Sequence, residues 1–376
     1  MSSAKQRLTR SLLAVFALTL CMFVCQVSAQ EDGAAIRVSA AEVYNSSNFN
    51  AHILPALTAA GKAVSDRQFG PAFEKAKTQA RSHSKGTPTV PAPGFYPSDL
   101  DYFGGPVVTQ MSSHPVYVNA SSCGGVANCW GDPAGFLRDL GDSRFIHVTD
   151  QYTGTSGDYG VGRHVNASVT PTTNPNGNTV IDQPALIAIV HDAAVALGVT
   201  SGGYNDEFHV FLPAGIDTCF PGDTVCYSPD NPATFFFCAY HGSVLFSDIG
   251  HVMFSVQPYQ NVPGCQAAPP NPNGMLADST NSVLSHETIE TITDPDGDAW
   301  IADNSLIAAG AEIGDLCEPT GNDNAQFLDS YVNLTGIPTS CNWNIPIAIT
   351  PALRSEPELL GRAANAPAKA GAFQLR

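Results

Sequence analysis

The chain has 376 residues, 43% hydrophobic and 14% charged, with 34 acidic residues against 17 lysines and arginines and a net charge of −17. That length and apolar content are enough to bury a sizeable core. The acidic balance argues against nucleic acid or an anionic membrane surface as partner.

Residues 1–29 read as a secretory signal peptide. Lys5, Arg7 and Arg10 form the charged start, Leu12 to Val27 is largely apolar, and Val27-Ser28-Ala29 gives the small-residue cleavage pattern. The apolar run falls short of the about 20 residues of a membrane span. The expected location is therefore extracellular, with no membrane association after cleavage. Without Cys21 and Cys25, eight cysteines remain: Cys123, Cys129, Cys219, Cys226, Cys238, Cys265, Cys317 and Cys341. An even number in an exported chain implies disulfides. Cys123/Cys129 and Cys219/Cys226 are close enough to close local loops, and the connectivity stays open.

Residues 30–95 read as an N-terminal extension. Ile53, Leu54, Leu57 and Phe73 recur at loosely helical spacing, and the proline-containing run at 86–94 reads as a linker. The main domain is expected over 96–345. In chain order it begins with a strand at 115–119, a short helix at 133–140 and a strand at 144–152 rich in β-branched and aromatic residues. A helix follows at 183–197, where Leu186, Ile187, Ile189, Val190, Ala193 and Leu197 share helical spacing. Apolar runs at 207–212, 234–244 and 251–259 read as strands, and 278–291 as a helix opened by an Asp-Ser-Thr cluster. This order implies a mixed β-sheet with packed helices, an α/β or α+β fold stabilised by disulfides. Residues 346–376, rich in alanine and proline, read as a disordered tail.

The last helix carries the chemistry. His286 and Glu290 are four residues apart, so both side chains lie on one helical face a turn from each other. A divalent metal uses two such ligands from one rigid element and a third from elsewhere. Glu287 sits where His-Glu-x-x-His metalloproteases keep their general base, although Glu290 replaces the second histidine. The third ligand is expected to be Glu312, with Asp315 holding a ligand from behind or replacing it; Asp294, continuing the stripe 286, 290, 294, is the alternative. A surface helix with solvated acids and an ordinary hydrogen-bonded histidine is the bland reading of so short a motif. Asp294, Asp296 and Asp298 also form an acidic turn able to take calcium, though Gly297 comes too early for an EF-hand. His241 and His251, on neighbouring predicted strands, are expected either to contact substrate or to satisfy core hydrogen bonds.

Beyond the helix motif, Ser285-His-Glu-x-x-Glu290, Thr293-Asp-Pro, Ala299-Trp300 and Glu312-Ile-Gly-Asp-Leu-Cys317 together resemble the EXORDIUM (phosphate-induced protein) family and its microbial secreted relatives. Cys238-Ala-Tyr-His-Gly242, Val256-Gln-Pro-Tyr259 with Gly264-Cys265, and the 136–152 segment fit the same family. The resemblance implies extracellular location and, in plants, a link to growth and to carbon or phosphate status. It implies no catalytic activity.

The residues support two functional expectations. One is a secreted zincin-like protein holding zinc by His286, Glu290 and Glu312, acting on peptide substrates with Glu287 as base. The other is a non-catalytic extracellular module that binds cell-wall components or another protein. A calcium-stabilised domain using the 294–298 acids is a third.

Overall fold

The computed structural model describes residues 33–38, 49–56, 58, 68–69, 100–143, 145–267, 271, 273–301, 312–315, 339–340 and 345–346. The chain divides after Gly33 into two units, and the sheet and helices belong to the unit that starts at Ala34. The expected signal peptide, all of the 346–376 tail after Pro346, Cys317 and Cys341 lie outside the described residues.

Nine strands build the main sheet: β1 (Ala34–Arg37), β2 (Phe49–Pro55), β3 (Gln68–Phe69), β4 (Gln110–Val118), β5 (Asp158–Val161), β6 (Val165–Ser168), β7 (Asp206–Phe211), β8 (Phe237–Phe246) and β9 (Gly250–Gln257). Their order is β1-β6-β4-β7-β9-β8-β2-β3, with β5 also paired to β4. β1, β6, β4, β7 and β9 run parallel to one another, whereas β8 is antiparallel to both β9 and β2. The mixed sheet expected from the order of elements is present.

The helices are α1 (Val126–Trp130), α2 (Pro133–Gly141), α3 (Asp150–Thr153), α4 (Gln183–Leu197) and α5 (Met275–Thr293). α4 starts where Asp182 accepts a hydrogen bond from the Ala185 N–H, and it stops at Gly198 in the left-handed conformation. Its Leu186, Ile187 and Val190 pack on one sheet face with Ile53, Phe208, Val210, Tyr240 and Phe254. The other face meets α5, and there Tyr117, Phe211 and Met253 join Leu284, Ile289 and Ile292 in a second apolar cluster.

Side chains alternate across a strand, so the residues between those apolar ones face α5. Beside Tyr117, Phe211 and Met253, that face carries polar residues: Asn50 and His52 on β2, Ser243 and His241 on β8, Ser255 and Gln257 on β9, and Glu207 and His209 on β7. Register places His52, His241, Ser255 and His209 in one lateral row across four strands. Every residue of α5 from Asp278 to Thr293 is buried, polar and apolar alike. Thr280 and Thr288 donate to carbonyls four residues back and Ser285 to one three back, which lets their hydroxyls sit in the interior.

Three expectations change. Within the expected 144–152 strand, Ile146–Thr149 forms a 3₁₀ turn and Asp150–Thr153 forms α3. Phe145, Ile146, Val148 and Tyr152 all bury in the cluster beneath α5, and the Thr149 hydroxyl bonds the Ile146 carbonyl, which holds the chain in a coil. Residues 49–55, taken as loosely helical extension, form β2 inside the sheet, because Phe49, Ala51 and Ile53 alternate with Asn50 and His52. α5 begins a turn early: Asp278 accepts from the Asn273 backbone and side chain, and so braces the preceding turn rather than capping the helix.

Candidate metal centre

Two groups of metal-capable side chains gather between α5 and the sheet. One is His52, His241, Glu290 and Glu312; the other is His286, Glu290 and Asp315, and in each the ligand atoms lie within 4.8 Å of one another. His52 and His241 come from neighbouring strands, His286 and Glu290 from adjacent turns of α5, and Glu312 and Asp315 from one tight turn. In that turn the Asp315 N–H donates to the Glu312 carbonyl, and the Glu312 N–H donates to Asp315 Oδ2.

Around Glu290, Oε2 is 3.1 Å from His52 Nδ1 and 3.6 Å from His241 Nδ1. Glu312 lies 3.5 Å from His52 Nδ1 and 3.5 Å from His241 Nε2. Zinc bonds to nitrogen and oxygen are about 2.0–2.2 Å, so the edge of a zinc tetrahedron is about 3.3–3.5 Å. The His52 Nδ1 separations from Glu290 and Glu312, 3.1 and 3.5 Å, are close to that edge. On the other side, Glu290 Oε1 is 3.1 Å from His286 Nε2 and accepts the Gly314 N–H at 3.1 Å. Asp315 places Oδ1 3.9 Å from His286 Nε2 and Oδ2 3.3 Å from His52 Nε2.

Gly314 lets the turn approach this closely. A Cβ there would fall 2.5 Å from His286 Nδ1 and 2.7 Å from Glu290 Oε1.

None of the six donor side chains is more than 2% exposed. Burial and the neighbouring charges set their protonation. For His52, burial works downward, but Glu290 and Asp315 outweigh it and push the imidazolium up to about 10. Glu290 feels the opposite balance: burial works upward, yet His286 and His52 hold its carboxylate well below the usual range. Burial, then the surrounding carboxylates, push Glu287 and Glu312 well above it. His241 is lowered to about 4, chiefly by burial. Nitrogen and oxygen donors without thiolate suit zinc, manganese or iron, and a dry cluster of carboxylates calls for compensating positive charge.

The expected ligands therefore assort differently from the proposed trio. His286 and Glu290 adjoin as helical spacing predicts. Asp315 joins them, while Glu312 sits with His52 and His241. Glu287 points to His241, with Oε2 3.2 Å from Nδ1, and Oε1 has no hydrogen-bond partner among the described residues. Asp294 belongs to neither group: its Oδ1 accepts the Ala299 N–H and closes the turn after α5. His251 is also outside both groups and bonds Asp296 and the Gly203 carbonyl. Asp296 further accepts the Tyr204 hydroxyl. Among the described residues, Asp294, Asp296 and Asp298 do not converge as a calcium cage.

His52 was missed by sequence reasoning. Its signal was the alternation Phe-Asn-Ala-His-Ile at 49–53, a short period-two pattern with a histidine on the polar side. Glu207 and His209 carry the same signal in Glu-Phe-His-Val. Glu207 accepts the Thr291 hydroxyl, and His209 Nδ1 lies 2.8 Å from Ser255 Oγ.

The cysteines pair as Cys123–Cys129, Cys219–Cys226 and Cys238–Cys265. Among the described residues no helix is long and apolar enough to cross a membrane. The disulfides fit an exported protein. No family model matches this chain, and no curated protein or solved structure matches it.

Proposed function

We propose that this is an exported, zincin-like metal-binding protein whose cation sits between α5 and the sheet. The observation that carries the reading is the convergence of His52, His241, Glu290 and Glu312, two imidazoles and two carboxylates, on one buried point. Four protein donors with no open position make a closed site, the kind that contributes folding energy directly. The metal then ties β2, β8, α5 and the 312–315 turn together. This is the behaviour of an extracellular module of the EXORDIUM kind, acting through a cell-wall or protein partner.

A second reading, a metallopeptidase, is favoured by Glu287. Its carboxyl lies beside the donor set with Oε1 unengaged by hydrogen bonds, and burial keeps it in the proton-holding form. A bound metal would supply a water of lowered pKa and polarise a peptide carbonyl. Glu287 would hold the proton on its free oxygen, and His241 would fix the other oxygen.

Metal analysis of the purified exported chain tests the reading. We expect bound transition metal at no less than one ion per chain, and a melting temperature that falls when a strong chelator removes it. A chain without metal, indifferent to chelator, would sink the proposal. A peptide library with metal-loaded protein then decides between the module and the peptidase.

A further inference from the structure

We propose that the cluster binds a pair of divalent cations, with Glu290 as the carboxylate between them. This rests on the metal-binding reading above and extends it. Glu290 aims its two oxygens at different neighbours. Oε2 faces His52 and His241 at 3.1 and 3.6 Å, whereas Oε1 faces His286 at 3.1 Å. Each oxygen thus belongs to its own donor group, and both groups meet the proximity a metal requires. A carboxylate oriented in this way is suited to join two ions.

Asp315 is divided in the same manner. Oδ1 turns to His286 and Oδ2 to His52 Nε2. With His52 bound to the first ion through Nδ1, its Nε2–H would donate to Asp315, which serves the second ion through the other oxygen. Such carboxylate–histidine contacts orient metal-binding imidazoles. The Gly314 N–H donates to Glu290 Oε1 and fixes the plane of the bridging group.

Burial points the same way: the donors of both groups, His52, His241, His286, Glu290, Glu312 and Asp315, are at most 2% exposed, and a dry cluster of carboxylates calls for compensating positive charge. The two positions also differ in kind. The His52 group supplies four protein donors, a full tetrahedral set, while His286, Glu290 and Asp315 supply three, one short of it. The second position is therefore the one suited to chemistry, and the first the one suited to holding the fold.

The exported chain, disulfides intact, is stripped with chelator, reloaded with zinc, dialysed and measured for zinc per protein. Two ions are expected in the wild type and one in His286→Ala. One ion in the wild type would overturn the pair and leave the metal-binding reading standing; none would overturn both. Two ions retained in His286→Ala would also overturn the pair, because the second would then lie elsewhere. Manganese-loaded wild type settles the matter without a variant. Its paramagnetic resonance spectrum should show two coupled ions, and the spectrum of isolated ions would defeat the inference.

Discussion

His52 and His241 stand directly opposite one another across the antiparallel pair β2/β8, with ring centroids 5.5 Å apart. Directly opposed side chains on one sheet face are the closest cross-strand neighbours. The register of the sheet therefore fixes two imidazoles before the helix contributes anything. A one-residue slip of β2 would turn His52 to the apolar face and Ala51 to the donor cluster.

His52→Ala should reduce zinc affinity more than about a hundredfold, beyond the 10–100-fold typical of residues that only orient a ligand. Competition with a chromogenic chelator measures it. His251→Ala should leave the affinity unchanged, since His251 is engaged with Asp296 and Gly203. Equal effects of the two substitutions would contradict the assignment of His52.

Glu287→Gln should keep both metal content and melting temperature close to wild type. Burial, the largest influence, already holds Glu287 in its protonated form, which glutamine mimics in shape. Any peptidase activity should fall by about a hundredfold or more with the loss of the carboxyl that exchanges the proton. Retained cleavage in this variant would rule out Glu287 as the proton-transferring group.

Glu207 gives a pH dependence. Burial pushes its carboxyl up to about 8 from 4.5, against a smaller opposing effect of the Thr291 hydroxyl. Raised in the folded state, it contributes stability that is complete below pH 4.5 and is lost as pH rises through about 8. Each unit of difference is worth about 1.4 kcal/mol. Glu207→Gln should flatten this decline, measured as denaturation midpoints against pH. A variant that loses stability across the window as steeply as wild type would contradict the account.

Gly314→Ala should destabilise the protein by about 1–3 kcal/mol, as overpacking does, and weaken metal binding with it. The added methyl would press on His286 and Glu290, both buried and held. Unchanged melting temperature and zinc affinity would show that the turn relaxes freely.

Thiol titration of the exported chain under denaturing conditions should find no free cysteine. Six cysteines pair within the described residues, and the count after the expected signal peptide, eight, is even. Two or more reactive thiols would refute this.

Much of the architecture was legible in the sequence. α4 and α5 have strong helical spacing, and β7, β8 and β9 are apolar runs of strand length. The pairing of His286 with Glu290 followed from spacing alone. Where reading failed, tertiary context decided. β2 is a short alternating stretch in an alanine-rich region, and only its pairing with β8 distinguishes it from a weak helix. Residues 144–152 have the composition of a strand, but a shared buried face coils them. The division of Glu312 and Asp315 between two donor groups depends on a turn whose shape no spacing rule gives.

The distance along the chain between the parts of the site affects how the protein assembles. β2 leaves the ribosome early, yet its hydrogen-bonding partner β8 comes 193 residues later, as the Asn50–Ser243 contact records, and the His52–Glu290 contact spans 238 residues. Until β8 arrives, the β2 edge that will face it is unpaired and open to mispairing with other chains. Contacts this remote in sequence also slow folding. The donor cluster is thus completed only in a chain whose residue 52 has met residue 290. A cut just after residue 52 would sever His52 from the covalent chain that carries the other donors.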